Sequence, residues 1–242
     1  EGDGLNQTFW IFDKKKNHLK NLIKNDQCDL ARIYRFITLI LKMKPLEHEF
    51  KVMGLAPYSK IEYSRNVYNQ VFKDILKVKN CKIIHKNRPK NLFKFLYEKT
   101  RNHRFDSIAG AVQILVEKIS SKLLVQLSKK YKLNSFSISG GVSMNIKMNK
   151  TLSELKNVKN LYVPSTGTDE SLCVGVCYFL NKSANNKPLN NIYLGQKLSD
   201  NAITKASLIK LLVKKKKYVI RENVNHKDVA KLIKNGGIVA VA

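Results

Sequence analysis

The residues that could do chemistry gather in a few short segments. Ser139-Gly140-Gly141-Val142-Ser143-Met144-Asn145 joins two glycines to an amide side chain, between an apolar stretch and a helical one. Adjacent glycines let backbone N–H groups approach a ligand closely. A helix starting just beyond them favours negative charge at its N-terminus, and the Asn145 amide can donate and accept. Gly140, Gly141, Val142 and Asn145 are therefore candidates for holding an anionic ligand. A tight strand-to-helix turn needing positive φ explains the same glycines, and spacing alone favours that plainer reading. The second segment, Pro164-Ser165-Thr166-Gly167-Thr168-Asp169-Glu170, follows a short apolar run, as at the strand ends where open α/β sheets place ligand groups. Asp169 could hold a hard cation or cap the next helix, and capping is the commoner role for a lone Asp. A third segment, Glu49 to Tyr58, contains Lys51, which could meet a phosphate as a point charge, or the whole stretch could be an ordinary loop. Asp3, in Gly2-Asp3-Gly4, suits a structural turn or a metal or water ligand.

These segments need elements to position them. Residues 6–13 read as a strand, and Ile33 to Met43 as a helix ended by Pro45. Glu49 to Ser59 reads as a loop because Gly54 and Pro57 punctuate it. Residues 60–105 are Lys-rich and read as helices with an insertion. From Asp106 to about Lys130, Ile108, Ala111, Val112, Leu115, Ile119, Leu123 and Leu127 make a continuous stripe, with Asp106 or Ser107 as cap. Phe136 to Ile138 and Leu161 to Val163 read as short strands, Asn145 to Leu155 and Glu170 to Leu180 as helices. This alternation describes a layered α/β domain. Residues 186–200 have the composition of a linker. Beyond them a helix (Ala202 to Leu212), a strand (Tyr218 to Arg221), a helix (His226 to Lys234) and an apolar end read as the opening of a second domain over 201–242.

The formal net charge of +27 invites a nucleic-acid reading, but only seven of the 45 basic residues are Arg, and the Lys and Asn excess is spread along the chain. Compact base-reading motifs interleave Arg with aromatics, so no specific nucleic-acid partner is expected. Cys28, Cys81, Cys173 and Cys177 fit no zinc spacing; Cys173 and Cys177 are expected as small core residues of a helix. A reducing cytoplasm and no membrane partner are the default expectations. The scattered histidines form no His-x-x-x-His pair and suggest no triad.

Taken together, the segments resemble the carbamoyltransferases of the antibiotic and nodulation-factor type. The family's Gly-Glu-x-Lys-Val-Met-Gly-Leu-Ala-Pro-Tyr-Gly stretch stands here as His48 to Ser59, with His48 and Ser59 in place of the flanking glycines, and its Gly-Gly-Val-Ala-x-Asn as Gly140 to Asn145. Its Pro-x-x-Gly-Asp-x-x-x-x-x-Gly element is Pro164 to Gly175 with Thr168 inserted before Asp169. Ala109, Gln113 and Glu117 match a helix motif, and Tyr193-Leu194-Gly195 a linker motif. The resemblance implies that 1–185 are the second part of an actin/Hsp70-like (ribonuclease H-like) ATP-binding domain, in a fragment expected to lack both ends. It further implies that 201–242 begin a second α/β domain like the threonylcarbamoyl-adenylate synthase. The implied reaction takes carbamoyl phosphate and ATP to carbamoyl-adenylate and passes the carbamoyl group to a hydroxyl of a small molecule or glycan. Gly140, Gly141, Val142 and Asn145 would form the nucleotide loop; Lys51 falls in a family motif. A divalent metal, iron(II) in known relatives, would sit on two His and two Asp. Asp169 matches the late aspartate, while the family's Asp-Gly-x-Gly-Asp/Glu pattern leaves open whether Asp3 or another acidic residue is the early one. The metal histidines are expected upstream of residue 1 and the Arg-rich segment of the second domain after Ala242, so little activity is expected of these 242 residues alone. The resemblance leaves room for a homodimer. A tRNA threonylcarbamoyl transferase-like protein and a non-catalytic nucleic-acid binder are the competing expectations.

Overall fold

The computed structural model describes residues 5–13, 15, 16, 18–181, 191, 210 and 224–239. By its internal contacts the chain divides into Glu1–Pro188 and Leu189–Ala242. In the first unit the order is β1 (Gln7–Asp13), β2 (His18–Asn25), α1 (Leu30–Ile40), α2 (Glu49–Leu55), a 3₁₀ turn (Ala56–Tyr58) and α3 (Ile61–Val67). A π-helical turn (Tyr68–Phe72), β3 (Leu76–Lys79), β4 (Lys82–His85), α4 (Leu92–Thr100) and α5 (Phe105–Tyr131) come next. The unit continues with β5 (Ser135–Ser137), a 3₁₀ turn (Gly141–Met144), α6 (Ile146–Ser153), β6 (Asn160–Tyr162) and α7 (Ser171–Leu180). In the second unit α8 (His226–Lys234) starts on Asn225, whose side chain accepts from the Asp228 amide. The helix and strand expected at 202–212 and 218–221, nearly all of the linker, and Asp3 lie outside the described residues, Lys210 of that helix excepted.

The mixed α/β character expected from the sequence is present. The 27-residue α5 is the element on which the first unit is built. Its apolar stripe makes Ile108, Ala109, Ala111, Val112, Leu115, Val116 and Ile119 almost inaccessible to solvent, packed with Ile33, Ile37, Val52, Phe72 and Leu96 from the surrounding elements. Each of the Ile, Val, Leu and Phe side chains contributes about 1.5–3 kcal/mol on burial, and the two alanines less. Gly110 lets α3 come close: a Cβ placed there would lie 2.8 Å from Ser64 Cβ and closer still to Ser64 Oγ.

Three pairs of strands surround this helix. β1 and β2 are antiparallel, running from Gln7 opposite Asn25 to Asp13 opposite His18, with an irregularity between Phe9 and Trp10. β3 and β4 form a second antiparallel pair, Leu76 opposite His85, turned at Asn80 and Cys81, both at positive φ. β5 and β6 are parallel, Ser135 beside Asn160 and Ser137 beside Tyr162. Phe9 of β1 and Phe136 of β5 both pack on Ile23, Cys81 and Leu127, over the C-terminal half of α5. Among the described residues β1 pairs only with β2, and β5 only with β6.

Several expectations are corrected. Glu49–Leu55 is helical rather than a loop: Val52 is buried, Gly54 is tolerated inside the helix, and Pro57 sits in the first turn of the 3₁₀ segment, where its missing N–H costs nothing. The Lys-rich stretch contains the β3–β4 hairpin as well as helices. Helix α1 ends at Ile40, before Pro45, with Lys42 and Leu46 at positive φ. Neither Asp106 nor Ser107 caps α5: Arg104 is the N-cap, and the Asp106 carboxylate accepts instead from Arg104 and from the Ser107 amide. Cys173 and Cys177 are exposed, because no residue of α7 is buried, whereas Cys28 and Cys81 are in the core, where burial raises their thiol pKa.

At the start of α1, the Asp29 carboxylate is buried between His85 Nε2 at 2.7 Å and Arg32 at 3.0 Å. Burial raises its pKa, but the hydrogen bond from His85 and the charges of Arg32, His85 and Arg88 outweigh it, so the carboxyl is held below its ordinary value.

Two outcomes follow from this packing. Gly110→Ala overpacks the α3–α5 crossing and is expected to cost about 1–3 kcal/mol in urea unfolding, with most of the loss recovered in Gly110→Ala/Ser64→Gly. Asp29, with its depressed folded-state pKa, contributes stability that is present above its unfolded pKa and is lost as pH falls through the lower folded value. Thermal melts between pH 2 and 7 should therefore show a shallower acid limb for Asp29→Asn than for the native chain.

Candidate functional site

The segments after β5 and β6 meet. Because these strands are parallel, both loops leave the same end of the pair, and the backbone joins them: the Gly140 amide donates to the Gly167 carbonyl at 2.6 Å. Gly140 has φ 99° and ψ 162°, a conformation that is essentially glycine's alone. Gly167 is equally constrained from the other side, since a Cβ there would lie 2.6 Å from Ser143 Oγ. A Cβ on Gly141, by contrast, would meet nothing within 4 Å, so open space lies beside that turn.

That space is part of a cavity of about 570 Å³. Gly141, Val142, Met144 and Asn145 form one wall and Thr168, Asp169 and Glu170 another. Ala31, Tyr34 and Arg35 of α1, Leu46 and Glu47, Glu49, Phe50 and Met53 of α2, and Val116 of α5 complete it. Of the sequence candidates, Gly141, Val142, Asn145 and Asp169 line this cavity, and Gly140 forms the adjoining turn. Lys51 is not among the lining residues: its Nζ lies 2.9 Å from His48 Nε2 and 5.8 Å from the centre of the Phe50 ring, on the exposed face of α2. Asp3 is outside the described residues.

The local chemistry differs from the simplest sequence picture in two respects. At the N-terminus of α6 one first-turn amide is already used, because Asn145 caps the helix, its Oδ1 accepting from the Met148 amide at 2.9 Å. Asp169 does not cap α7 with its side chain: Glu170 is the N-cap residue, and only the Asp169 carbonyl is used, by Leu172 N. Beneath Asn145 lies a buried polar group. Asn145 Nδ2 donates to Gln113 Oε1 (2.8 Å), Gln113 Nε2 donates to Asn145 Oδ1 (3.0 Å) and to Glu117 Oε1 (2.8 Å), and the Tyr34 hydroxyl donates to Gln113 Oε1 (3.4 Å). Burial, with the charges of Glu49 and Glu117, raises the Tyr34 pKa, which keeps that hydroxyl protonated as a donor. Among the described residues no three His, Cys, Asp or Glu side chains come together to hold a metal ion, so Asp169 alone does not constitute a metal centre.

Sequence reasoning missed Tyr34, Arg35, Glu47 and Glu49 as cavity residues, the last because Gly54 and Pro57 made its helix read as a loop.

With the two loops and their shared cavity in place, comparison with known proteins becomes informative. The model of the carbamoyltransferase N-terminus matches residues 1–177. This chain belongs to the carbamoyltransferase family. The matched region contains every lining residue of the cavity. The chain is also similar to Uncharacterized protein MJ1051 of Methanocaldococcus jannaschii, with 30% identity over 239 residues, 97% of this chain. It spans 45% of that relative's length. No helix among the described residues is long and apolar enough to cross a membrane.

Replacing Gly140 by Ala tests the junction of the two loops. Forcing a Cβ into the backbone conformation at φ 99° is expected to cost about 1–3 kcal/mol in unfolding free energy. Hydrogen exchange should show the Gly140 amide well protected in the native chain and unprotected in any variant that has lost the bond to Gly167.

Proposed function

We propose that this chain is the nucleotide-handling part of an ATP-dependent O-carbamoyltransferase. In this reading a carbamoyl group passes from carbamoyl phosphate, through carbamoyl-adenylate, to a hydroxyl of a small molecule or glycan. The proposed setting is an actin/Hsp70-like domain followed, from about residue 201, by the start of a carbamoyl-adenylate-forming domain. The observation that carries the reading is the joining of the Gly140 turn and the Asp169 loop around one cavity, in a chain of the carbamoyltransferase family.

The chemistry assigned to the chain's own residues is binding and orientation. The open side of Gly141 gives a phosphate room to approach the backbone, which a side chain there would obstruct. Asn145, anchored from behind, has an amide suited to a phosphoryl or carbonyl oxygen. Apolar surface from Leu46, Phe50, Met53 and Met144 suits the flat face of a base. Glu47, Glu49, Asp169 and Glu170 would repel bare phosphates, so the site suits a cation-complexed nucleotide. A divalent metal, iron(II) by resemblance, would act as a Lewis acid on the oxygen where charge builds during transfer. Asp169 would be one of its ligands, and Asp3 or another acidic residue a second.

Titration calorimetry with MgATP tests the reading. Saturable binding that persists at 0.5 M salt is expected, whereas a basic nucleic-acid binder would hold RNA or DNA instead and release it steeply as salt rises. Asp169→Ala should weaken MgATP binding by about tenfold, equivalent to ~1.4 kcal/mol, and lower bound metal, with little change in melting temperature. A fall in melting temperature with unchanged ligand and metal binding would instead mark Asp169 as a structural residue.

A further inference from the structure

The amide pair beneath the cavity has a directionality that its hydrogen-bond partners impose. At one end is Glu117, whose carboxylate accepts but does not donate; Gln113 must therefore present its NH₂ group to it, and does so at 2.8 Å. At the other end is the Met148 backbone amide, which only donates; Asn145 must present its carbonyl oxygen, at 2.9 Å. Between these ends the two side chains exchange a reciprocal pair of bonds, 2.8 and 3.0 Å, that is satisfied in only one relative orientation of the amides. The Tyr34 hydroxyl, adding a 3.4 Å bond to Gln113 Oε1, reinforces the same sense. Neither amide can flip without setting donor against donor or acceptor against acceptor in a buried site.

Counting groups shows what remains. Both N–H donors of Gln113 are used, by Glu117 and Asn145, and both lone pairs of its oxygen, by Asn145 and Tyr34. Both lone pairs of Asn145 Oδ1 are used, by Gln113 and Met148. One N–H of Asn145 is left without a partner among the described residues, and Asn145 lines the cavity whereas Gln113 does not.

We infer that Gln113 is a positioning residue: oriented by Glu117, it locks the Asn145 amide so that a single N–H donor, and never the carbonyl, is offered to an acceptor oxygen of the nucleotide in the cavity. This rests on the nucleotide reading of the site for the identity of the ligand, but not for the lock itself. The lock discriminates by chemistry. A phosphoryl or carbonyl oxygen gains a bond from the fixed donor, whereas a ligand N–H or ammonium at the same point meets a donor that cannot turn away. It also explains why a Gln lies at 113 within a face otherwise filled by Ala109, Val112 and Val116, where an apolar residue would pack without any need for partners.

The experiment combines ligand-free NMR with MgATP titration on the 242-residue chain. In the native chain the two side-chain N–H protons of Asn145 should exchange at different rates, the one bonded to Gln113 slowly and the other quickly, and the fast one alone should shift on adding MgATP. Glu117→Gln keeps an acceptor oxygen facing Gln113 and should retain both the exchange pattern and the affinity. Glu117→Leu and Gln113→Met should equalise the two Asn145 protons and weaken MgATP about tenfold. If the native protons already exchange alike, or if Gln113→Met and Glu117→Leu bind MgATP as tightly as the native chain, the inference fails. Should Gln113→Met not fold, the native exchange pattern and the contrast between Glu117→Gln and Glu117→Leu still decide. If the native chain shows the unequal protons but no saturable MgATP binding, the nucleotide reading fails and the inferred role of Gln113 with it, leaving only the lock.

Discussion

A single backbone hydrogen bond, from the Gly140 amide to the Gly167 carbonyl, ties together the two loops that follow β5 and β6. A second link, from the Gly167 amide to Met144 Sδ at 3.3 Å, joins the same loops. The bond accompanies a φ that only glycine adopts comfortably at 140, and a Cβ at 167 would crowd Ser143 Oγ. Once the loops are joined, Asn145 and Asp169, twenty-four positions apart in sequence, necessarily face a common space. The parallel pairing of β5 with β6 sets the direction of both loops, and α5, packed beneath, sets their depth.

How much of this could be read from the sequence depended on how strongly each segment's pattern was written. Helix α5 was legible almost to the residue, because its apolar stripe runs unbroken over many turns. The two short parallel strands were legible because turn residues bracket them. The β3–β4 hairpin was not: only β3 alternates, as Leu76-Lys77-Val78-Lys79, while β4 runs Lys82-Ile83-Ile84-His85, both too short to separate from a helix edge, and the turn places a buried Cys81 at positive φ, which no propensity anticipates. Helix α2 was hidden by Gly54 and Pro57, which punctuate its end rather than abolish it. Among candidate site residues, Gly141, Val142, Asn145 and Asp169 converge on one cavity, while Lys51, three residues from His48 on the same helical face, turns toward that imidazole instead. Helical spacing is invisible to anyone who has read the segment as a loop. Cys173 and Cys177 were misplaced for a related reason: apolar composition predicts burial only when another surface is there to provide it.

Charge acts on two length scales in this molecule. From a distance, a chain carrying +27 attracts polyanions indiscriminately. The cavity is lined by four acidic residues, Glu47, Glu49, Asp169 and Glu170, and by Arg35, with Lys44 paired to Glu47. Beneath that lining lie two amides that do not ionise, Gln113 and Asn145, whose reciprocal hydrogen bonds fix each other's orientation.

Among the described residues β1 and β5 each pair with one strand only and no residue of α7 is buried, which has a colloidal consequence. Exposed strand margins accept any extended backbone that approaches them, another copy of the same polypeptide included. Copies that each carry +27 repel one another. That repulsion reaches about 10 Å at 0.1 M ionic strength and only about 3 Å at 1 M. Concentrated salt, ordinarily used to suppress unwanted sticking of basic proteins, would here remove the barrier to it.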